Sequence, residues 1–376
     1  MALHEISTPA ALIDVSRMRR NIHRMQQRMN ALGVRFRPHV KTTKCLQVVS
    51  EQIDAGTKGI TVSTLKEAEQ FFAAGIRDIV YAVGMAPSKL GQAHALRQKG
   101  CDLKILADSV ACAEAIVRFG KAHGEVFEVW IEIDVDGHRS GIKPEDDTLI
   151  AIGRTLTDGG MRLGGVLAHA GSSYDFDNDE DLSKIAEQER AGTVRAATRL
   201  RTAGLPCAVV SIGSTPTALV ATNLEGVTEV RAGVYVTFDL VMHNIGVTTI
   251  DEIALSVLTT VIGHQEEKGW IIVDAGWMAM SRDTGTKRQK QDFGYGAVCN
   301  VDGEALGGYR IVGTNQEHGI VERMGGDDKN IVERFPIGSM LRILPNHACA
   351  TGAQHPTYYA LQEDGSVHAW PRFYGW

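Results

Sequence analysis

In the stretch RPHVKTTK, residues 37–44, Lys41 follows an apolar run and stands two residues past His39, with Lys44 three residues further on. An amine at the end of a strand is either a surface cation or a nucleophile able to form an imine with a bound carbonyl compound. Far along the chain, PNHACAT carries His347 and Cys349 two residues apart. On a strand such a pair faces one way, and imidazole beside thiolate is ligand chemistry for a zinc-class ion. Spacing alone leaves coincidence open for so short a motif. Between these ends lie Arg139 in DVDGHRSG, His169 and Tyr174 in HAGSSY, the turn Gly213-Ser214-Thr215, Arg231 in VRAG, and the turn Gly233-Val234-Tyr235.

These residues recur at one kind of place. From residue 34 onward, short β-branched runs end in small or polar residues and a helical stretch follows. The strand-like runs are VRFRPHV, GITVST, DIVYAV, LKILA, FEVWIEIDV, LGGVLAHA, AVVSIG and TEVRAG. Several intervening helical stretches end in glycine, as a left-handed C-cap prefers, and Asp108-Ser109 before VACAEAIV forms an N-cap signal. Eight such units fit a (β/α)8 TIM-like barrel over residues 16–240. A doubly wound open sheet is the alternative, weakened because no GxGxxG follows the first strand. After about residue 240 the texture changes. IALSVLTTVIGHQ, KGWIIVDAGW, GYRIVGTNQEHGIVE, SMLRILPNH and GSVHAWPRFYGW are β-rich segments broken by Gly, Asp and Pro. They predict an all-β domain over residues 241–376, joined by TPAALIDVS from residues 1–15.

Barrel enzymes carry their chemistry on loops at the C-terminal ends of the strands. Lys41, Arg139, His169, Tyr174, Arg231 and the two glycine turns all follow strand ends, so one rim gathers them. The turns after strands seven and eight can offer backbone N–H groups to a phosphate, which is the usual barrel location for one. Each glycine can equally serve its own tight turn. A phosphate cradle facing an imine-forming lysine points to pyridoxal 5'-phosphate.

Composition excludes other classes. The 376 residues carry 39 Lys+Arg against 45 Asp+Glu, a net charge of −6, and no basic block suited to nucleic acid. No run approaches the roughly 20 apolar residues of a membrane helix. Six scattered cysteines with no CxxC spacing read as reduced thiols of a cytoplasmic protein.

Taken together, RPHVKTTK, HAGSSY, GSTPT, VRAGVYV and LPNHACATGAQ resemble the fold-type III, alanine racemase-like pyridoxal phosphate enzymes, in particular the D-serine dehydratase and D-threonine aldolase group. The likeness covers nearly the whole chain. It implies that Lys41 is the Schiff-base lysine and that Arg139 stands near the cofactor's ring oxygen. His169 and Tyr174 flank ring or substrate, and Arg231 faces the pyridine nitrogen. Gly213, Ser214, Thr215, Gly233 and Tyr235 would hold the phosphate, and Lys44 is left as a structural or rim charge. His347 and Cys349 become ligands of a divalent metal, zinc or manganese, in the β domain. Dehydratases of the group carry His and Cys there and the aldolases His and Asp, so the cysteine favours elimination.

The implied reaction removes water from a D-3-hydroxy amino acid, with threo-3-hydroxyaspartate favoured, to give a 2-oxo acid and ammonia. Lys41, its pKa lowered by burial and neighbouring cations, takes the Cα proton, and the metal carries off hydroxide. Retro-aldol cleavage to glycine and an aldehyde, D-serine dehydration, and non-catalytic cofactor binding are the alternatives. Residue chemistry alone does not choose Arg139, Arg282 or a histidine for a distal carboxylate. Asp274, Glu317, His318, Gln70 and Thr64 could reach the site, with turn or capping roles as the plainer reading. The Met and Trp residues of GWMAM suit a core or a dimer interface. The resemblance also implies a homodimer acting on a small molecule, with no membrane or nucleic-acid partner.

Overall fold

The computed structural model describes residues 1–325 and 330–376, and these divide into two compact units. One comprises Met25–Gly233 with Phe373–Trp376, the other Met1–Arg24 with Val234–Arg372. In chain order the strands are β1 (Ala10–Asp14), β2 (Arg35–Phe36), β3 (Ile60–Val62), β4 (Asp78–Gly84), β5 (Asp102–Ala107), β6 (Glu128–Ile133), β7 (Arg162–Ala168), β8 (Val209–Ile212) and β9 (Glu229–Val230). They continue with β10 (Leu255–Gln265), β11 (Trp270–Val273), β12 (Ala297–Cys299), β13 (Ala305–Thr314), β14 (Gly319–Arg323), β15 (Met340–Leu344), β16 (Thr357–Leu361) and β17 (Val367–Pro371).

The first unit is a parallel sheet in the order β2-β9-β8-β7-β6-β5-β4-β3. A bridge between His39 and Thr61, with the Thr61 N–H donating to the Pro38 carbonyl at 2.8 Å, joins β2 to β3 and closes the ring. All six residues of β6 are buried, the signature of a strand covered on both faces. Val80, Leu106, Trp130 and Leu167 form one core cluster among these strands.

The helices start and stop where their side chains dictate. The Ser109 hydroxyl accepts from the Cys112 N–H, and Gly124 closes the same helix at φ 64°. Asn178 caps the long helix Asp179–Thr202, whose first turn holds Asp179, Glu180 and Asp181. At the strands' N-terminal face, Arg37 is 1% exposed and donates to Glu229 at 2.7 Å and Asp78 at 2.9 Å, and Lys104 donates to the same Asp78 oxygen at 2.6 Å. This buried ion network ties β9, β4 and β5 to the residue that follows β2.

In the second unit the sheet order is β11-β14-β13-β12-β15-β10-β1-β16-β17, and β10 also pairs with β11. Six strands therefore close on themselves around Val257, Val261, Ile271, Val273, Ile311, Val321 and Ile343. The N-terminal strand β1 pairs antiparallel with β10 and parallel with β16. The eight barrel strands coincide with the runs expected of them, β4, β5 and β7 each reaching one residue beyond. Strands β12 and β16, and the helix Val15–Ala31, are additions to the sequence reading.

Candidate active site

Lys41, Arg139, His169, Gly213 and Arg231 each lie past the C-terminal end of a strand, whereas Gln70 lies within the helix Leu65–Ala73. Lys41 sits in a 3-10 turn, Val40–Thr42, beyond β2 and the His39 bridge. Arg139 is in the loop after β6, His169 is the first residue after β7, Gly213 follows β8 and Arg231 follows β9. The four charged or imidazole side chains share one electrostatic neighbourhood. Burial, with the positive charges of Lys41 and Arg231 and then of Arg139, holds the His39 imidazole well below its usual range. Burial likewise pushes His169 down to about 4, against a hydrogen bond to the Gly213 carbonyl.

That bond is 3.0 Å from His169 Nδ1. A carbonyl only accepts, so Nδ1 carries the proton and Nε2 of the neutral ring is left with a lone pair. The Tyr174 ring lies 6.3 Å from the His169 ring, at the end of the turn Gly171–Tyr174. Arg231 is 4% exposed; its guanidinium donates to Ser211 Oγ at 2.7 Å and to the Ala168 carbonyl at 2.6 Å. Burial lowers its pKa to about 10, opposed by Glu229, Glu189 and Glu132, so it stays a cation at neutral pH.

Two sequence expectations change character. The Lys41 side chain is exposed, and Arg231 and Arg139 lie with it in the electrostatic surroundings of His39. The turn after β8 is already engaged within the protein. The Gly213 N–H donates to Glu189 at 3.0 Å and the Ser214 N–H to Thr217 Oγ1 at 3.1 Å. Ser214 Oγ caps the helix Thr215–Val220 by accepting from the Thr217 N–H. Gly213 and Ser214 thus act by shaping the turn. Gly213 has φ 129°, and a Cβ there would stand 2.1 Å from the Arg231 carbonyl oxygen. At Gly233 a Cβ would come within 3.1 Å of the His39 carbonyl. Tyr235 is fully buried in the turn Val234–Val236 and belongs to the other unit.

A cofactor test follows from this arrangement. Lys41, Arg139 and Arg231 bring positive charge to one neighbourhood, its two imidazoles are neutral, and His39 Nδ1 is buried without a hydrogen-bond partner. The set fits an anionic group that also offers an aldehyde to an accessible amine.

In the second unit, His347 and Cys349 do not share a strand. β15 ends at Leu344, before Pro345, which has no N–H to continue a ladder. His347 is the extended N-cap residue of a short helix, Ala348–Gly352, and Cys349 lies in its first turn. Their side chains still meet by hydrogen bonding. Asp283 accepts from His347 Nδ1 at 2.8 Å, and fully buried Asp239 accepts from the Ala348 N–H at 2.9 Å. Burial opposes charge on His347, yet Asp283 and Cys349 outweigh it and push its pKa up to about 11. The donor set therefore draws positive charge, and Asp283 orients the ring as an outer partner does for a metal-bound histidine. Among the described residues, no group of three or more His, Cys, Asp or Glu is arranged to hold a metal. A cation there would have these two ligands and open positions.

Several other expectations resolve as structural. Lys44 Nζ pairs with Glu67 at 3.2 Å, Thr64 caps the helix Leu65–Ala73, and Asp274 accepts from Thr259 and Thr260. Glu317 and His318 are exposed in the turn between β13 and β14. Ala279 and Met280 of GWMAM join the core cluster of their unit. Glu189 and Asp283 escaped the sequence reading. Nothing in SRD marks Asp283, whereas Glu189 had a signal, because it falls on the same helix stripe as Leu182, Ile185, Thr193 and Leu200.

Comparison with known proteins follows these two units. Residues 13–241 match the alanine racemase N-terminal domain family and residues 254–361 the putative serine dehydratase domain family. The D-threo-3-hydroxyaspartate dehydratase of Delftia sp. (strain HT23) is 66% identical over 99% of this chain and 98% of its own length. Its solved structure covers the whole of this chain and of that chain with a TM-score of 0.99. The D-serine dehydratase of Dictyostelium discoideum is 29% identical over 97% of this chain and 96% of its own. No helix among the described residues is long and apolar enough to cross a membrane. The chain belongs to the alanine racemase-like family of pyridoxal phosphate-dependent enzymes, and to its lyase branch that carries the serine dehydratase domain.

Proposed function

We propose that this chain is a pyridoxal 5'-phosphate- and divalent-metal-dependent dehydratase. It eliminates water from a D-3-hydroxy amino acid, with D-threo-3-hydroxyaspartate as substrate, to give a 2-oxo acid and ammonia. The observation that carries the reading is the 66% identity, over 99% of the chain, to a D-threo-3-hydroxyaspartate dehydratase. A cysteine-to-alanine variant of that relative is known in a metal-free form, which supports a metal in the family.

Pyridoxal phosphate, when bound, supplies an aldehyde for the lysine amine and a conjugated ring that accepts electrons. Lys41 is the residue that binds it and that moves the Cα proton, its exposed side chain free to swing between the two tasks. Arg139, His169, Tyr174, Thr215, Gly233 and Tyr235 hold the cofactor, while Gly213 and Ser214 shape the turn beside it. Arg231, buried and cationic, would disfavour a second positive charge on the cofactor's ring nitrogen beside it. His347 and Cys349 would hold a zinc-class ion, with manganese the other candidate, and such an ion would supply Lewis-acid chemistry at a leaving hydroxyl. Asp283 keeps His347 turned for that role. For a distal carboxylate, Arg139 is half-exposed, with a long 3.9 Å ion pair to Glu132, whereas the Arg282 guanidinium lies 4.2 Å from the centroid of the Trp277 ring.

The reading includes a homodimer in a reducing cytoplasm. Six cysteines outside any disulfide, four of them buried, suit that compartment, and sedimentation measures the assembly. The deciding experiment is a panel of D- and L-3-hydroxy amino acids assayed for keto acid and ammonia, with and without zinc or manganese. Keto acid from D-threo-3-hydroxyaspartate, lost on chelation and restored by metal, is expected. Glycine plus an aldehyde, or undiminished elimination by metal-stripped enzyme, refutes the reading.

A further inference from the structure

Glu189 sits in the middle of the helix Asp179–Thr202 and is fully buried. A carboxylate removed from water needs donors, and Glu189 has three. Oε1 accepts from the Ala170 N–H at 2.9 Å and the Gly213 N–H at 3.0 Å, while Oε2 accepts from the Thr217 hydroxyl at 2.8 Å. The first two donors belong to different loops, those after β7 and β8. A chain of side chains completes a ring between them. Ser173 Oγ donates to the Ala170 carbonyl at 2.7 Å and lies 2.8 Å from Ser214 Oγ, which lies 3.1 Å from Thr217 Oγ1.

One proton assignment satisfies every member. Ser173 spends its proton on Ala170, so Ser214 donates to Ser173. Thr217 spends its proton on Glu189 and accepts from the Ser214 N–H. Burial raises the Glu189 pKa, while Thr217, the Ala170 and Gly213 N–H groups and the Arg231 charge favour its ionised form; as a pure acceptor of three donors it sets the direction of the whole ring. Gly213 is thereby held from both sides, its N–H by Glu189 and its carbonyl by His169 Nδ1.

We propose that Glu189 is a positioning residue of the active site: its carboxylate locks the loops after β7 and β8 together and, through Gly213, sets the orientation and tautomer of His169. The proposal rests on the pyridoxal phosphate reading above. Glu189 touches neither cofactor nor substrate. It acts on the residues beside them, which is why its neighbours Gly213 and Ser214 have no N–H to spare.

The test is an absorbance titration of the full chain, stripped of cofactor, with pyridoxal 5'-phosphate. It is run well below each variant's melting temperature for wild type, Lys41→Ala, Glu189→Ala, Glu189→Gln and Thr217→Val. A glutamine keeps the ring closed. Its carbonyl accepts the two N–H groups and its amide donates to Thr217, whose hydroxyl turns to the Ser214 carbonyl 3.4 Å away. Glu189→Ala is expected to weaken cofactor affinity by about tenfold or more and to move the absorbance maximum, with Glu189→Gln within about threefold of wild type. Rescue by glutamine separates positioning from a general loss of stability. Wild-type affinity in Glu189→Ala, or a loss in Glu189→Gln equal to that in alanine, overturns the proposal. Should Glu189→Ala fail to fold, Thr217→Val opens the same ring and must weaken binding; unchanged affinity there also overturns it. A wild-type chain that forms no band dependent on Lys41 sinks the cofactor reading itself and this proposal with it. Binding by wild type and Glu189→Ala alike sinks this proposal alone.

Discussion

Replacing Gly213 with alanine puts the turn after β8 to a quantitative test. Its φ of 129° lies where side chains are rarely tolerated, and forcing one there costs about 1–3 kcal/mol. The new Cβ would also meet the Arg231 backbone, 2.1 Å from its oxygen and 2.9 Å from its nitrogen. Backbone cannot rotate aside as a side chain can. Relief requires β8 and β9 to part, which gives up the 2.7 Å bond from the Arg231 N–H to the Ile212 carbonyl, worth about 1 kcal/mol. Together these come to roughly 2–4 kcal/mol, a large share of the about 5–15 kcal/mol that holds a typical protein folded. Gly233 is the control. Its Cβ would come within 3.1 Å of the His39 carbonyl and 3.2 Å of Thr42 Oγ1, and its φ is unexceptional. A shift of a few tenths of an ångström accommodates it, at about 1 kcal/mol or less.

At about 2–4 °C per kcal/mol for a unit of this size, Gly213→Ala should melt roughly 5–15 °C below wild type, and Gly233→Ala within about 4 °C. Melting by circular dichroism at one fixed cofactor concentration reads both, since bound ligand would otherwise shift the curves. Gly213→Ala melting with wild type, or Gly233→Ala falling as far as Gly213→Ala, would refute the argument from backbone approach.

Asp283→Asn keeps the shape of the His347 partner but removes its charge. Zinc affinity, read by competition with a chromogenic chelator, should fall about 10–100-fold with little change in melting temperature; unchanged affinity would make Asp283 a bystander. At the N-terminal ends of the barrel strands, burial works against charge on Asp78, but hydrogen bonds and charge from Arg37 and Lys104 hold its pKa well below the ordinary 3.8. A depressed carboxylate contributes stability that is fully present above the unfolded value near 4 and is lost as pH falls through the folded one. Asp78→Asn should therefore cost about 2 kcal/mol at pH 7, discounted from a fully buried pair because Asp78 is a quarter exposed. The gap to wild type should narrow in urea melts below about pH 4.

The alternation of β-branched runs with glycine-ended helices made the barrel readable, because a strand buried on both faces must be apolar throughout, as β6 is. Short strands were harder. β12 has three residues, Ala297–Cys299, too few to show a period, and β16 reads TYYAL between polar turns. The site residues were legible where chemistry marks them, as with Lys41 in PHVK or His347 and Cys349 in NHAC. Geometry was not. The period-two argument assumed that the strand ran on through His347, but Pro345 had already ended it. The turn GST looked like a donor cradle, yet Gly213 and Ser214 give their N–H groups to Glu189 and Thr217, a partnership across 24 residues for Gly213 that no local motif encodes. Nor did any local signal show that a 3-10 turn, Val40–Thr42, would carry Lys41 beyond the end of its strand.

The charges around Lys41 also bear on why this barrel keeps two histidines there. An imidazole near its ordinary pKa would add or lose a charge across the physiological range. Here His169 titrates at about 4, and His39 well below its usual value, both chiefly through burial. Their use is to accept or donate hydrogen bonds at constant charge. The carboxylates nearest Arg231 are buried as well. Glu229 and Glu189 are each at most 2% exposed and Glu132 is 5% exposed, and they offset the guanidinium from within the protein. With arginine compensated and the imidazoles neutral, the charge around the exposed Lys41 is set by buried groups. That constancy suits the role proposed for Lys41, moving the Cα proton amid fixed charge.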